Sequence, residues 1–408
     1  MQGLLEGVRV LDWTIWQQGP FASVLLADMG AEVIKLEAPD GDPGRWVLRV
    51  AGFEAQRGGV NFYFEANNRH KKSVVLDLKR PEARAVVHRL VARSDVFIQN
   101  FRTGVASRLE LDYQTLRQHN PRLIYATASG YGPHGPDSAA PSFDYLAQAR
   151  SGIMRVAGLE TEEPVYLYGG LADQMGAIML AYGVVCALLA RERLGIGQEV
   201  NVSHLGSMTA LQGLNVSCLG MMGSEMPRLA RDSAYNPLWN HYRCADGKWL
   251  ALGMLQADRY WKDFCRAVGL AHLAEAPRFA GTAERAQNRR ELIAILDETF
   301  ARRPRQQWLE IFRREGDFIV GIVNQVADLA ADPQVLANGY MVEYERPESG
   351  PTRLLGHPVA FSATPANPRG RAPELGEHTE AVLTELLGYS WEEIARLRAA
   401  GAILAPGG

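Results

Sequence analysis

Short apolar runs alternate with amphipathic stretches from the start of the chain. Val8 to Trp13 reads as a buried strand, Phe21 to Met29 as a helix opened by Gly19-Pro20 and closed by Gly30, and Ala31 to Glu37 as a second strand. A strand, helix, strand opening predicts parallel pairing in a Rossmann-like sheet. After an irregular stretch to Arg69 the alternation resumes with strand Ser73 to Leu78, helix Pro81 to Arg93, strand Asp95 to Gln99, helix Tyr113 to His119 and strand Arg122 to Ala128. The segment Ser129-Gly130-Tyr131-Gly132-Pro133-His134-Gly135-Pro136 is a loop. The longest apolar run then carries Ile178, Met179, Tyr182, Val185, Leu188 and Leu189 at helical spacing and stops at Gly195-Ile196-Gly197. Glu199 to Ser203 reads as one more strand before a helix through Leu211.

The pattern changes near Gly223-Ser224-Glu225-Met226-Pro227, which reads as a linker. A smaller α+β unit is predicted from there to about Asp328. It opens with a hairpin over Tyr242 to Leu252 that turns at Asp246-Gly247, and continues with helices Tyr260 to Val268, Arg289 to Phe300 and Gln306 to Arg314. The tail from Asp332 holds a strand at Met341 to Tyr344 and a capping-box helix start at Ser390-Trp391-Glu392-Glu393.

Asp173, between Gly169-Gly170 and the long apolar run, sits where a helix N-cap belongs. Two readings follow from that placement. The carboxylate caps the helix by accepting from its first N–H groups, or those groups and the helix dipole hold it ionised and aim it at an electrophilic carbon. A second candidate is Asn100-Phe101-Arg102, at the carboxyl end of a predicted strand, where open parallel sheets gather ligands. Arg102 and Arg108 otherwise read as solvated surface.

Composition narrows the classes. A chain of 408 residues predicts two or three units, and its net charge of -3 without a polybasic block excludes nucleic acid as a partner. Cys186, Cys218, Cys244 and Cys265 form no CxxC pair, which argues against a disulfide framework or structural zinc and for a reducing cytoplasm. Glu377-His378-Thr379-Glu380 stands alone, so no metal site is expected. Met1 to Glu6 lacks the features of a signal peptide, and the run Ala177 to Ala190 falls short of the ~20 residues of a membrane span, so it is expected to be a core helix. The first strand turn, Thr14 to Gly19, lacks GxGxxG, so Glu37 does not mark a dinucleotide site.

Taken in order, the motifs resemble the class III CoA-transferases, the family of formyl-CoA transferase with α-methylacyl-CoA racemase as a relative. The resemblance rests on Gly7 to Asp12, Gly19-Pro20, Leu26 to Glu37, Lys72 to Lys79, Asn100-Phe101-Arg102, Ser129 to Gly132, Gly195 to Gln198 and Ala372 to Thr379. It implies an α/β fold in which a Rossmann-like large domain, residues 1–224, is interrupted by a small α+β domain, residues 225–330, and completed by a return segment, residues 331–408. It also implies a homodimer of interlocked rings. Asp173 falls on the family's nucleophile, which forms an aspartyl-acyl anhydride and then an aspartyl-CoA thioester. Helix N–H groups near Gly176 and the Gly169-Gly170 backbone are the expected oxyanion donors. Positions matching CoA contacts are Gln17, Gln18, Leu76, Lys79, Asn100, Phe101, Arg102 and Arg108, with Phe143 and Asp144 placed beside them. Coenzyme A is implied as a co-substrate, with no permanently bound cofactor, and the partners are an acyl-CoA and a free carboxylic acid.

Departures from the family pattern sharpen the expectation. Ala38 replaces an arginine near the nucleotide, with Lys35, Arg45, Lys71 or Lys72 as substitutes. The racemases need acid-base residues on both sides of an α-carbon, and here Phe143 and Gln256 stand at two of those positions. Racemase or epimerase activity is therefore the alternative within the fold, and a non-catalytic Rossmann-type binding module the alternative outside enzymes. The glycine-run loop of formyl-CoA transferase has no counterpart between Gly223 and Asn240. Pro141 to Tyr145, Asn236-Pro237-Leu238 and Leu387 to Ser390 resemble instead the branch acting on phenyllactate-type and bile-acid CoA esters. Phe143, Trp239 and Tyr242 are either core or an apolar acyl pocket.

Overall fold

The computed structural model describes residues 3–50, 52–159, 162–346, 350–368 and 370–404, so Met1 and Gln2 of the N-terminal stretch lie outside the described residues. The chain forms two compact units. One comprises Met1–Ala157, Pro164–Glu225 and Pro333–Gly408, the other Gly158–Glu163 and Met226–Asp332.

The larger unit is built on a parallel sheet. Its strands are β1 (Arg9–Trp13), β2 (Glu32–Glu37), β3 (Lys71–Val75), β4 (Val96–Gln99), β5 (Ile124–Ser129) and β6 (Gln198–Ser203). Their spatial order is β6-β5-β4-β1-β2-β3, with every adjacent pair parallel. This doubly wound order reverses between β1 and β4, the place where open parallel sheets gather ligands at the carboxyl ends of their strands. Its helices include α1 (Gln18–Asp28), α2 (Pro81–Val91), α3 (Asp144–Ser151), α4 (Leu171–Leu194), α5 (His204–Leu211) and α6 (Gly213–Met222).

Period-two alternation sends neighbouring strand residues to opposite cores. Leu11, Ile34, Val74 and Phe97 pack with α2 and with Val382, Leu383, Ile394 and Leu397 of the C-terminal segment. Val10, Val33, Val96, Ile98 and Ile124 pack with α1 and α4. Main-chain bonds tie the C-terminal segment to the region around β3, through His378 N–H to Ser73 O and Asp77 N–H to Ala402 O. Its last helix starts with the expected capping box, Ser390 Oγ accepting from Glu393 N–H.

Two helix starts differ from expectation. α1 begins at Gln18, and Pro20 lies inside its first turn, where a missing N–H is tolerated. α4 begins at Leu171 with Gly170 as N-cap, so Asp173 is not the cap but a residue of the first turn. With 24 residues, α4 is also longer than the Ala177 to Ala190 run, and by length and composition alone it is apolar enough to cross a membrane. It nevertheless packs against α1, β5 and β6, burying Ala177, Leu180, Ala181 and Val184.

The smaller unit has a three-stranded antiparallel sheet of β7 (Trp239–Arg243), β8 (Trp249–Gly253) and β9 (Val320–Val323). Gly247, at φ 75°, makes the hairpin turn between β7 and β8. Helices α7 (Ala257–Ala267), α8 (Arg289–Phe300) and α9 (Arg305–Glu315) cover it, and Tyr242, Trp261, Phe264, Phe300 and Phe312 fill the core. Tyr242 is therefore core, while Trp239 is exposed. All four cysteines are free.

Candidate active site

At the switch point between β1 and β4 a clamp ties the two strand ends together. Asn100, just past β4, accepts from Ile15 N–H at 2.9 Å and donates to Ile15 O at 2.7 Å. The loop Thr14 to Gln17 is thereby fixed, with Trp16 in the left-handed region at φ 67° and its N–H donating to Asp42. Behind the loop lies a buried charge network. Lys35 Nζ donates to Asp42 Oδ2 and Thr14 O, and Lys71 Nζ donates to Asp12 Oδ2, Pro20 O, Asn67 O and Asn68 Oδ1. Burial pushes the Asp12 carboxyl up, but the cations of Lys71 and Lys35 outweigh it and hold it down at about 2. The loop that begins α1 thus rests on ionised, mutually paired groups.

α4 meets this loop at its amino end. A Cβ on Gly170 would come within 2.5 Å of the Gln17 amide, and a Cβ on Gly176 within 2.5 Å of Gln18 Nε2. Glycine at these two positions lets both glutamines lie directly on the helix. Residues 170, 173 and 176 share a face at i,i+3 spacing, which places Gln17 and Gln18 along the face that carries Asp173. Gln18 Nε2 is buried without a hydrogen-bond partner among the described residues, a donor presented at this face.

The cap of α4 comes from elsewhere in the chain. Asp144, the first residue of α3, accepts from Ala172 N–H at 2.6 Å and Asp173 N–H at 3.3 Å through Oδ1, while Oδ2 accepts from Gln148 and Tyr166, each at 2.8 Å. Asp173's carboxylate is thus released from capping. It is met by His204, the first residue of α5 at the carboxyl end of β6, whose Nε2 lies 2.9 Å from Asp173 Oδ1. The two side chains are 7% and 18% exposed. Tyr63, in the short helix Phe62–Asn68, is kept protonated by burial and by the charges of Asp173, Asp42 and Asp144.

His204, Tyr63, Tyr166 and Gln148 did not stand out in the sequence. For His204 a signal existed, since it follows a predicted parallel strand directly, the position where such sheets place ligand-facing groups. The trans-acting cap had no local signature.

Of the residues expected at the site, Gln17, Gln18, Asp144 and Asp173 come together at the start of α4. Asn100 acts on the loop backbone, and Phe101 packs against Trp13 in a tilted pair with ring centroids 4.2 Å apart. Phe143 is 57% exposed and meets Trp16 edge-on at 6.0 Å, forming an apolar rim. Leu76 is fully buried in the core, so its side chain is not a ligand contact. The substitutes for the arginine missing at Ala38 are corrected as well. Lys35 and Lys71 are spent on buried carboxylates, Arg45 forms a bidentate pair with Glu37, and Lys72 pairs with Glu32 at the amino end of β2. Lys79, Arg102 and Arg108 are the expected cations that stay exposed, with no ion pair shown for them among the described residues.

Asp144→Ala is expected to lower stability by about 1–2 kcal/mol through loss of the cap, and to lower turnover about 100-fold by displacing Asp173. Asp144→Asn, which keeps an acceptor, retains most of the stability. Thermal unfolding and steady-state turnover, measured on both variants, check this.

Residues 5–379 match the family model for CoA-transferase family III. The chain is 33% identical to the acetyl-CoA:oxalate CoA-transferase of Acetobacter aceti, covering 94% of this chain and 96% of that one. It is 30% identical to the cinnamoyl-CoA:phenyllactate CoA-transferase of Clostridium sporogenes, covering 97% and 96%. The crystal structure of a CAIB/BAIF family protein from Brucella suis superposes with a TM-score of 0.83 at 30% identity, covering 95% of this chain and 100% of that one.

Proposed function

The chain belongs to CoA-transferase family III, and from that premise we propose that it moves CoA from an acyl-CoA to a free carboxylic acid through covalent intermediates on Asp173. The observation that carries this reading is the placement of Asp173, whose carboxylate is freed from capping by Asp144 and presented beside Gln17 and Gln18.

A carboxylate oxygen of Asp173 attacks the donor thioester carbon. The carbon–sulfur bond breaks, its electron pair leaves on sulfur, and an aspartyl-acyl anhydride forms without any proton transfer. The thiolate then attacks the aspartyl carbonyl carbon, giving an aspartyl-CoA thioester and releasing the donor acid as a carboxylate. The acceptor carboxylate reverses the sequence and leaves with CoA. Every nucleophile is already an anion, so no general base is required. Asp173 and His204 are hydrogen-bonded neighbours and do not flank an α-carbon, an arrangement that favours transfer over racemisation.

Coenzyme A is an anionic, amide-rich substrate. Exposed Lys79, Arg102 and Arg108 suit its phosphates, and the buried Gln18 amide suits its thioester end. The Phe143–Trp16 rim supports an acceptor with an apolar or aromatic body. Helix α6 has no buried residue and exposes Leu214 at 76% and Met221 at 84%, which supports a second copy of the chain covering it in an interlocked homodimer. A matrix of acetyl-, succinyl- and cinnamoyl-CoA against oxalate, glutarate and phenyllactate tests the activity. New acyl-CoA is expected in at least one pairing, most rapidly with the aromatic acid, and light scattering is expected to give a dimer. The absence of product with every pairing would count against transfer among these acids.

A further inference from the structure

The two ends of the anhydride pose a problem of direction. CoA thiolate that attacks the acyl carbon merely regenerates the donor, whereas attack at the aspartyl carbon carries the reaction forward. The group that stabilises negative charge on the aspartyl oxygen decides between them. The first-turn N–H groups beside Asp173 are occupied, since Ala172 N–H and Asp173 N–H donate to Asp144 and Gln174 N–H donates to Gly170 O.

We propose that His204 is the catalytic hydrogen-bond donor to the aspartyl carbonyl, holding Asp173 Oδ1 throughout the cycle and directing CoA thiolate to the aspartyl carbon. The proposal rests on Asp173 as nucleophile. An ionised carboxylate only accepts hydrogen bonds, so His204 Nε2 donates to Oδ1 across the 2.9 Å contact and leaves Oδ2 as the attacking atom. Once Oδ2 is acylated, Oδ1 is the carbonyl oxygen of the aspartyl half. Thiolate attack then forms the carbon–sulfur bond and moves the carbonyl electron pair onto Oδ1, where Nε2–H already points. When the carbonyl re-forms, the bond from the aspartyl carbon to Oδ2 breaks and Oδ2 departs with the donor carboxylate. His204 keeps its proton in every step. The same donor faces the thioester oxygen when the acceptor carboxylate attacks.

The surroundings favour strong stabilisation at this atom. His204 is buried, its Nδ1 has no partner among the described residues, and Ala147, Ala172 and Met208 pack together in an apolar cluster involving α3, α4 and α5. A donor fixed in such a setting needs little reorganisation as charge develops.

The test separates the two halves of the reaction. Full-length protein is mixed with acetyl-, succinyl- or cinnamoyl-CoA in a single turnover without acceptor, quenched in acid and weighed intact over time. Wild type is expected to acquire the mass of CoA less water on the Asp173 peptide. H204L is expected to stall as the acylated protein, with the CoA adduct forming about 100- to 1,000-fold more slowly. H204Q, whose amide nitrogen reaches the place of Nε2, is expected to recover at least tenfold of that loss. Any other pattern in folded variants overturns the proposal, including a wild-type rate in H204L, or equal loss of both adducts in H204L and H204Q. Failure of the Asp173 reading itself would show earlier and differently, as a wild-type protein that carries neither adduct on the Asp173 peptide.

Discussion

Asp173→Asn is expected to lower transfer turnover by about 10,000-fold or more while changing stability by no more than about 0.5 kcal/mol. The substitution keeps the shape of the side chain and an oxygen that accepts from His204. It leaves the backbone N–H of residue 173 on Asp144, so the helix start is unchanged. What it removes is the anionic nucleophile, since a neutral amide does not displace a thiolate. Measuring turnover and thermal unfolding on one preparation therefore separates chemistry from folding. Unchanged turnover would reassign Asp173 to a purely structural place in the first turn of α4.

Lys71→Met has the largest expected effect on stability, a loss of about 3–5 kcal/mol. Lys71 and Asp12 are both fully buried, and Nζ reaches four acceptors drawn from β1, the first turn of α1 and the segment before β3. Removing the cation alone leaves the Asp12 charge with Ser23, Thr14 and the more distant Lys35. Removing both charges avoids that penalty, so Asp12→Asn combined with Lys71→Met is expected to be less destabilised than Lys71→Met alone. Urea unfolding of the two singles and the double closes the cycle. A Lys71→Met protein as stable as the parent would show that the network does not hold the loop bearing Gln17.

The sheet was legible because its strands are short apolar runs separated by helices, a pattern that leaves little choice beyond parallel pairing. β1, β2 and β4 to β6 lie within a residue or two of where the pattern places them, and the helix Tyr113–His119 coincides with its expected bounds. The site was legible in part. Asp173 was visible from its glycine flanks, but the capping rule assumes that a helix start is served by its own neighbour. Here the acceptor is Asp144, on another helix, and no local pattern encodes that distance. Lys35 was misjudged as a candidate phosphate ligand for a different reason. It lies in the middle of a strand covered on both faces, where a lysine must find an internal carboxylate, and Asp42 supplies it. The Leu76 side chain is withdrawn from the site for a related reason, since it continues β3 and packs into the apolar core.

The most direct measurement is to incubate the wild-type protein and Asp173→Asn with the acyl-CoA panel, add hydroxylamine or borohydride, and map the modified peptide by mass. A modification confined to the peptide holding Asp173, present in wild type and absent from the variant, is the result the covalent mechanism predicts. No trapped species with any donor, accompanied by exchange of the α-proton of the acyl group, would contradict it.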